Sequence, residues 1–296
     1  MGMKKSYLTA LIMVLICMAP VCGCSESASG NRQFEPADLS GDGALFIIGG
    51  GSRPEAMIQR MIDESGVDTE GYAIVLTMSG FDPDTSGFYG EQQFRELGIE
   101  NIASYDFGRE DEFSEESQMM LEEASLIYIT GGSQSRFMNA VRNEPRIETS
   151  LRSAYENGAL IAGTSAGAAV MSRIMITGDQ INYPEYTSTF YNLEKNNMVT
   201  AEGLGLIEGV IIDQHFVKRA RNNRLITAVI EFPDQTGIGI DESTAILIRN
   251  NRAEVVGVSQ VLVYRNQSDY SAVFEGKLGA RDISLNIYLP GESFEI

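Results

Sequence analysis

Short apolar runs with no polar interruption recur along this chain, each followed by a stretch with helical spacing. The first is Ala44-Leu45-Phe46-Ile47-Ile48. Others are Tyr72-Ala73-Ile74-Val75-Leu76-Thr77-Met78 within residues 71–79, Ser125-Leu126-Ile127-Tyr128-Ile129-Thr130, and Ala159-Leu160-Ile161-Ala162-Gly163. A strand wetted on one face alternates polar and apolar residues, whereas a continuous run of this length fits a strand covered on both faces of a parallel sheet. Between the runs, Met57, Ile58, Met61 and Ile62 recur at helical spacing within residues 53–64. Further helices are expected over 90–97, 115–123, 135–143, 147–157 and 218–231, and further strands over 102–105, 209–212 and 237–240. This alternation predicts an α/β fold, a doubly wound three-layer sandwich with a mostly parallel sheet.

Beyond residue 240 the pattern changes. Residues 245–249 and 253–256 flank Asn250-Asn251, a two-residue hairpin turn, and 261–265 and 283–289 add strands. A C-terminal antiparallel β extension is therefore expected. No repeat or linker interrupts residues 44–296, which are assigned to one domain.

The N-terminus is of another kind. Lys4 and Lys5 precede an apolar run over residues 7–19, and Val21-Cys22-Gly23-Cys24 follows. A basic start, a short apolar core and small residues make a secretory signal, too short for a comfortable membrane span. Its ending resembles a bacterial lipobox. Residues 1–23 are thus expected to be a lipoprotein signal peptide and Cys24 the lipidated residue. Residues 24–43, rich in Ser, Gly and acids, are expected to be a flexible tether. The protein would be exported and membrane-anchored, facing the periplasm or cell surface, held only through lipid.

The three cysteines are Cys17, Cys22 and Cys24. A chain cut before Cys24 keeps no thiol in its globular part, which excludes a disulfide, a thiolate nucleophile and a cysteine metal site there. Loss of Lys4 and Lys5 from 22 basic residues leaves 20 against 41 acids, a net charge of −21. Such a surface argues against nucleic acid or an anionic membrane as a partner.

Gly163-Thr164-Ser165-Ala166-Gly167 follows directly on the strand at 159–163 and precedes small residues. A G-x-S-x-G at a sharp strand-to-helix turn lifts the serine hydroxyl above the sheet and aims the next amide, on Ala166, where an oxyanion would form. A serine nucleophile needs a base, and the chain has one histidine, His215, at the end of the strand expected over 209–212. A carboxylate should orient that imidazole. Asp241 and Glu242, just after the strand at 237–240, are the candidates.

Four blocks of residues carry a family resemblance: Thr130-Gly131-Gly132-Ser133-Gln134; Gly163-Thr164-Ser165-Ala166-Gly167-Ala168; Asp213-Gln214-His215-Phe216 with Arg219, Arg221 and Arg224; and Gly237-Ile238-Gly239-Ile240-Asp241-Glu242. Together they resemble the cyanophycinases, in the serine peptidase family that includes aspartyl dipeptidase, on a flavodoxin-like fold of the class I glutamine-amidotransferase type. The resemblance implies Ser165 as nucleophile, His215 as general base, Glu242 as orienting acid and Gly132 as second oxyanion donor. It further implies Gln134, Asp213, Gln214, Arg219, Arg221 and Arg224 as substrate contacts, with no metal or other cofactor. The implied partner is a polymer or peptide rich in aspartate and arginine. In the family that polymer is cyanophycin, cut to β-Asp-Arg dipeptides. Other aspartyl or isoaspartyl peptides are the alternative substrates, and a non-catalytic peptide-binding lipoprotein is the alternative of a different class. A homodimer is left open. Two features depart from the family pattern. Ser133 stands where an acid is expected, and residues 183–192 form a longer segment, expected either to wall the cleft or to pack its own aromatics.

Overall fold

The computed structural model describes residues 41–108, 113–268 and 270–296. The signal, Cys24 and almost all of the tether lie outside the described residues. The first half alternates strand and helix: β1 (Ala44–Ile48), α1 (Glu55–Ser65), β2 (Ala73–Leu76), α2 (Pro83–Arg95), β3 (Ile102–Tyr105), α3 (Glu115–Glu122), β4 (Leu126–Ile129), α4 (Gln134–Asn143), α5 (Arg146–Glu156), β5 (Leu160–Thr164) and the one-turn α6 (Ala166–Ala169). The second half is richer in strands: β6 (Ile174–Gln180), β7 (Met198–Glu202), β8 (Val210–Gln214), α7 (Asn222–Glu231), β9 (Thr236–Ile240), β10 (Thr244–Arg249), β11 (Arg252–Gly257), β12 (Val261–Asn266), β13 (Ser271–Phe274), β14 (Lys277–Ala280), β15 (Ile283–Tyr288) and β16 (Ser293–Glu295).

The principal sheet has the order β16-β11-β10-β1-β5-β4-β2-β3. Its β1, β5, β4, β2 and β3 portion is parallel, and β10, β11 and β16 add on antiparallel. The continuous apolar runs form strands β1, β2, β4 and β5, in which every residue is buried. Odd and even positions go to different layers. Leu45, Ile47, Ile127, Ile129 and Ile161 join one apolar cluster, and Phe46, Ile48, Tyr128, Leu160 and Ala162 join the other, under α1 and α2. Covering both faces is why the strands read as unbroken apolar runs. The α/β sandwich with a mostly parallel sheet and a C-terminal antiparallel extension is the observed architecture.

Three details differ from the sequence reading. Strands β8 and β9 pair in parallel, yet in a second sheet of order β15-β12-β9-β8. Both edges of β1 are already occupied, by β5 and β10, so the first sheet offers β8 no place beside it. Helix α2 begins at Pro83 rather than near residue 90. Asp82 caps it by accepting from the Thr85 amide, and Pro83 suits a first turn. Gly90, taken for a boundary, is interior because α2 lies close on β2: a Cβ there would stand 2.6 Å from Val75 Cγ1. The β6–β7 ribbon, the β13–β14 hairpin and β16 were not foreseen. At the foreseen hairpin, Asn250 and Asn251 take φ of 47° and 63°, the left-handed pair that a tight two-residue turn demands.

Candidate active site

Three strand ends meet at one place, and backbone hydrogen bonds to the end of β1 and the two residues after it hold them together. The Ser165 amide donates to Ile48 O (3.1 Å), the His215 amide to Gly49 O (2.6 Å) and the Ser243 amide to Gly50 O (2.8 Å). Gly50 and Gly51 have φ of 100° and 74°. A Cβ on Gly50 would fall 2.4 Å from His215 Cε1, and one on Gly51 2.8 Å from Glu242 Cβ. Only glycine supplies both that backbone and that space.

The turn after β5 is equally tight. Ser165 adopts φ 54° and ψ −106°, a costly conformation for a non-glycine residue and one that clusters at functional sites. The flanking glycines permit it, since a Cβ on Gly163 would lie 2.4 Å from Gly167 O and one on Gly167 2.3 Å from Ile129 O. His215 also has a positive φ, 49°. Two turns far apart in the chain are thus bent to bring their side chains together.

The result is an unbroken chain of hydrogen bonds. Ser165 Oγ lies 2.9 Å from His215 Nε2, and His215 Nδ1 lies 2.6 Å from Glu242 Oε1. With the Nδ1 proton on the Glu242 side, Nε2 is free to accept from the serine. Asp241, the other candidate acid, faces elsewhere: its carboxylate accepts from the Lys218 amide (2.9 Å) and Ser259 Oγ (2.7 Å). Burial pulls the His215 pKa below the ordinary histidine value. Glu242 opposes this, and the charges of Arg219 and Arg221 add to it. A neutral imidazole at neutral pH is the form that can take a proton.

The Ala166 and Gly132 amides make no hydrogen bond among the described residues, so both remain available to an oxyanion. Gly131 lies against the serine, where a Cβ would be 3.4 Å from Ser165 Cβ. A cleft of about 240 Å³ opens here, lined in part by Gly50, Gly51, Gly131, Ser165 and His215. Sequence reasoning missed other residues of this wall: Arg53, Ser86, Tyr89, Tyr128 and Thr164. Tyr128 gave no signal, because it sits in a strand and reads as core.

The residues expected to contact substrate are bonded within the protein. Arg224 clasps Asp213 through Nε–H to Oδ2 (2.8 Å) and Nη2 to Oδ1, with both residues buried. Arg221 Nη1 donates to Gln214 O (2.6 Å) and Gln214 Oε1 (2.7 Å). Burial and the neighbouring Arg224 push the Arg221 pKa down to about 10. Gln134 spends its amide nitrogen on the Ile176 and Thr177 carbonyls of β6. Asp213, Gln214, Arg221, Arg224 and Gln134 are therefore engaged with the protein itself. A charge pair this deep must be satisfied internally, because each member is costly to bury alone. Of the three arginines, only Arg219 is partly exposed without a side-chain hydrogen bond to a described residue.

Both departures from the family pattern have local explanations. Ser133 caps α4, accepting from the Arg136 amide at 3.3 Å, a role serine fills as well as an acid. Residues 183–192 are tied to the residues around them. Phe190 is buried in the cluster that contains Phe216 and Leu225, while Ser188 O accepts from Arg221 Nε (3.4 Å) and Thr189 Oγ1 donates to Arg219 O (3.2 Å). Among the described residues no group of three or more His, Cys, Asp or Glu is gathered to hold a metal ion.

The family model "Peptidase family S51" matches residues 90–256, a span that contains Gly132, Ser165, His215 and Glu242. The chain belongs to peptidase family S51. It is a serine-type peptidase by that membership. It is 32% identical over 266 residues to a cyanophycinase of Trichormus variabilis, covering 86% of this chain and 85% of that one. A cyanophycinase of Geminocystis herdmanii is 30% identical over 244 residues, covering 81% and 86%. A crystal structure of a peptidase from an acI-B1 actinobacterium superposes with a TM-score of 0.62 at 21% identity, covering 86% of this chain and 97% of that one. That likeness speaks to fold alone. The S51 match spans the whole constellation of Ser165, His215 and Glu242, although the three residues come from turns 50 and 27 positions apart.

Proposed function

We propose that this S51 peptidase is a serine exopeptidase that hydrolyses cyanophycin, multi-L-arginyl-poly-L-aspartate, to β-Asp-Arg dipeptides through an acyl-enzyme. The observation that carries the reading is 32% identity to a cyanophycinase across 86% of the chain. In this mechanism His215 Nε2 takes the Ser165 proton as Oγ attacks the scissile carbonyl, and Glu242 supports the imidazolium that forms. The amides of Ala166 and Gly132 receive the oxyanion. Collapse of the tetrahedral intermediate passes the proton from His215 to the leaving amine. Water, activated by the same imidazole, then frees Ser165.

Incubation with purified cyanophycin and mass spectrometry of the products tests this. The expected product is β-Asp-Arg, and Ser165→Ala should lower the rate on the order of 10⁴-fold or more. Undiminished release by that variant would sink the assignment of Ser165. A second reading, hydrolysis of other aspartyl or isoaspartyl peptides, is favoured by one feature: Arg221 and Arg224 are engaged internally, which reduces the cationic surface open to a polyaspartate backbone. A panel of α- and β-aspartyl peptides separates the two.

Export as a lipoprotein anchored at Cys24 belongs to the same proposal. It is supported by the lipobox-like Val21-Cys22-Gly23-Cys24 and the basic, apolar segment before it. Metabolic labelling with palmitate should mark the wild-type chain and not Cys24→Ala. Equal labelling of the two would refute it.

A further inference from the structure

Asp241, the carboxylate next to the orienting acid Glu242, is buried and engaged on both oxygens. Its Oδ1 accepts from the Lys218 amide at 2.9 Å and its Oδ2 from Ser259 Oγ at 2.7 Å. The two donors belong to different elements. Lys218 lies in the turn between β8 and α7 that carries His215, and Ser259 lies in the loop between β11 and β12. Asp241 directly precedes Glu242, so one side chain joins the turn of the base to the turn of the acid.

Both turns need such a tie. In the first, His215 and Ala220 each have φ of 49°, a left-handed backbone that is costly for residues other than glycine. Its near end is held by backbone: the Phe216 amide donates to Ile240 O (3.2 Å) and the His215 amide to Gly49 O. Further along, the Lys218 amide has the Asp241 carboxylate as its acceptor, and a charged acceptor makes the stronger bond. In the second turn Ser243 has φ 55°, and the loop after β11 closes over it. The Val258 amide donates to Ser243 O (3.1 Å) and the Asp241 amide to Gln260 O (3.2 Å). The Ser259 amide donates to Thr244 Oγ1 (2.9 Å), which donates in turn to Glu242 O (3.2 Å). The approach is close, since a Cβ on Gly257 would stand 2.4 Å from Ser243 O. Ser259 thus grips both sides of Glu242, Asp241 through its hydroxyl and Thr244 through its amide.

We propose that Asp241 and Ser259 are positioning residues of the peptidase, a strut that sets the separation of the His215 and Glu242 turns and so the 2.6 Å contact between Nδ1 and Oε1. Neither acts on the reacting atoms, because both oxygens of Asp241 are engaged away from the imidazole. A misplacement of about 1 Å in a catalytic group can cost on the order of 100-fold in rate, and precise sites owe their geometry to such supporting bonds. The proposal rests on Ser165, His215 and Glu242 as the catalytic set. Ser259 lies beyond residues 90–256, the span of the family match.

Two readouts that need no particular substrate test the strut. The chain has one histidine, so the low-field proton resonance of an imidazole N–H bonded to a carboxylate can come only from His215. Labelling by a fluorophosphonate reports the activated Ser165. Asp241→Ala should weaken the resonance and slow labelling about tenfold or more, with a matching loss in kcat and little change in KM. Asp241→Asn is the rescue. Its Oδ1 still accepts from the Lys218 amide, and Ser259 Oγ can accept from its nitrogen while turning its own proton to Gln260 Oε1, 3.2 Å away. That variant should recover most of both signals. Ser259→Ala, which removes no charge, should show a smaller loss in the same direction. All are measured on the full chain, well below the unfolding temperature of each variant. Wild-type labelling and resonance in Asp241→Ala would overturn the strut, as would a loss in Asp241→Asn equal to that in Asp241→Ala. If Asp241→Ala does not fold, Ser259→Ala decides, and an unchanged resonance with full labelling would overturn the proposal. Labelling of Ser165→Ala at the wild-type rate is a separate failure, of the catalytic set and the strut with it. A peptidase with a substrate other than cyanophycin alters neither readout.

Discussion

Two groups of buried polar residues flank Ser165 and His215, equal in burial and opposite in commitment. On one side Asp213, Gln214, Arg221 and Arg224 satisfy one another. On the other, Tyr128 and Thr164 are as deeply buried and satisfy nothing. The difference teaches which buried polar residues brace one another and which are held by apolar packing alone. A closed network is scaffold, because substrate would have to break internal bonds to use it.

The most severe test of that contrast is Asp213→Ala. It strands two guanidiniums, on Arg221 and Arg224, that are 2% and 4% exposed, and uncompensated buried charge costs about 3–5 kcal/mol. Urea unfolding should register a loss of that size. Tyr128→Phe, on the other side, should cost nothing measurable. If Asp213→Ala keeps wild-type stability and loses only substrate affinity, the network is a binding surface after all and the contrast collapses.

Phe190→Ala probes the cover over the closed side at a smaller cost. Phe190 anchors residues 183–192 into the cluster with Phe216 and Leu225. Truncating a buried phenylalanine costs about 3 kcal/mol at the lower end of its range, where a surface segment can collapse into the space. With the anchor gone, Ser188 and Thr189 should no longer hold their places on Arg221 and Arg219. Denaturation should report the stability loss, and a changed KM with an unaltered acid limb of the pH profile should report the loosened wall. An unchanged KM would show that the segment packs its own aromatics and does not border substrate.

The two sides were unequally legible in the sequence. The nucleophile turn, the single histidine and the acid after β9 could be read because their chemistry needs particular residue types at strand ends. So could the parallel half of the fold, because strands covered on both faces carry no polar residues. What escaped reading was relational. That Asp213 and Arg224 clasp each other shows only once α7 is seen to face Arg224 inward. Tyr128 looks like core until its hydroxyl is found without a partner. The three-glycine turn Gly49-Gly50-Gly51 carries no reactive group, and its place under His215 and Glu242 follows only from β1 lying at the centre of the sheet. The short ribbons β6–β7 and β13–β14 are partly exposed and lack the apolar runs that announce the main strands.

The smallest expected effect concerns Arg219, the charge between the two sides that is committed to neither. Its repulsion is one of the influences that lower the His215 pKa, after burial, while Glu242 works against them. The base must be neutral to accept the serine proton, so activity is lost as pH falls through the pKa of His215. Arg219→Gln removes a lowering influence. The pKa should therefore rise toward the ordinary value, and the acid limb of kcat/KM should move to higher pH. Glu242→Gln removes a raising influence and should move the limb the other way, with a large drop in kcat because the imidazolium loses its support. Arg219 is partly exposed, so its effect should shrink as ionic strength rises, whereas the Glu242 effect, made through a 2.6 Å hydrogen bond, should not. Profiles of wild type and both variants at low and high salt measure all of this. An acid limb that stays put in Arg219→Gln at low salt would show that Arg219 does not bear on the base, leaving substrate contact as its remaining role.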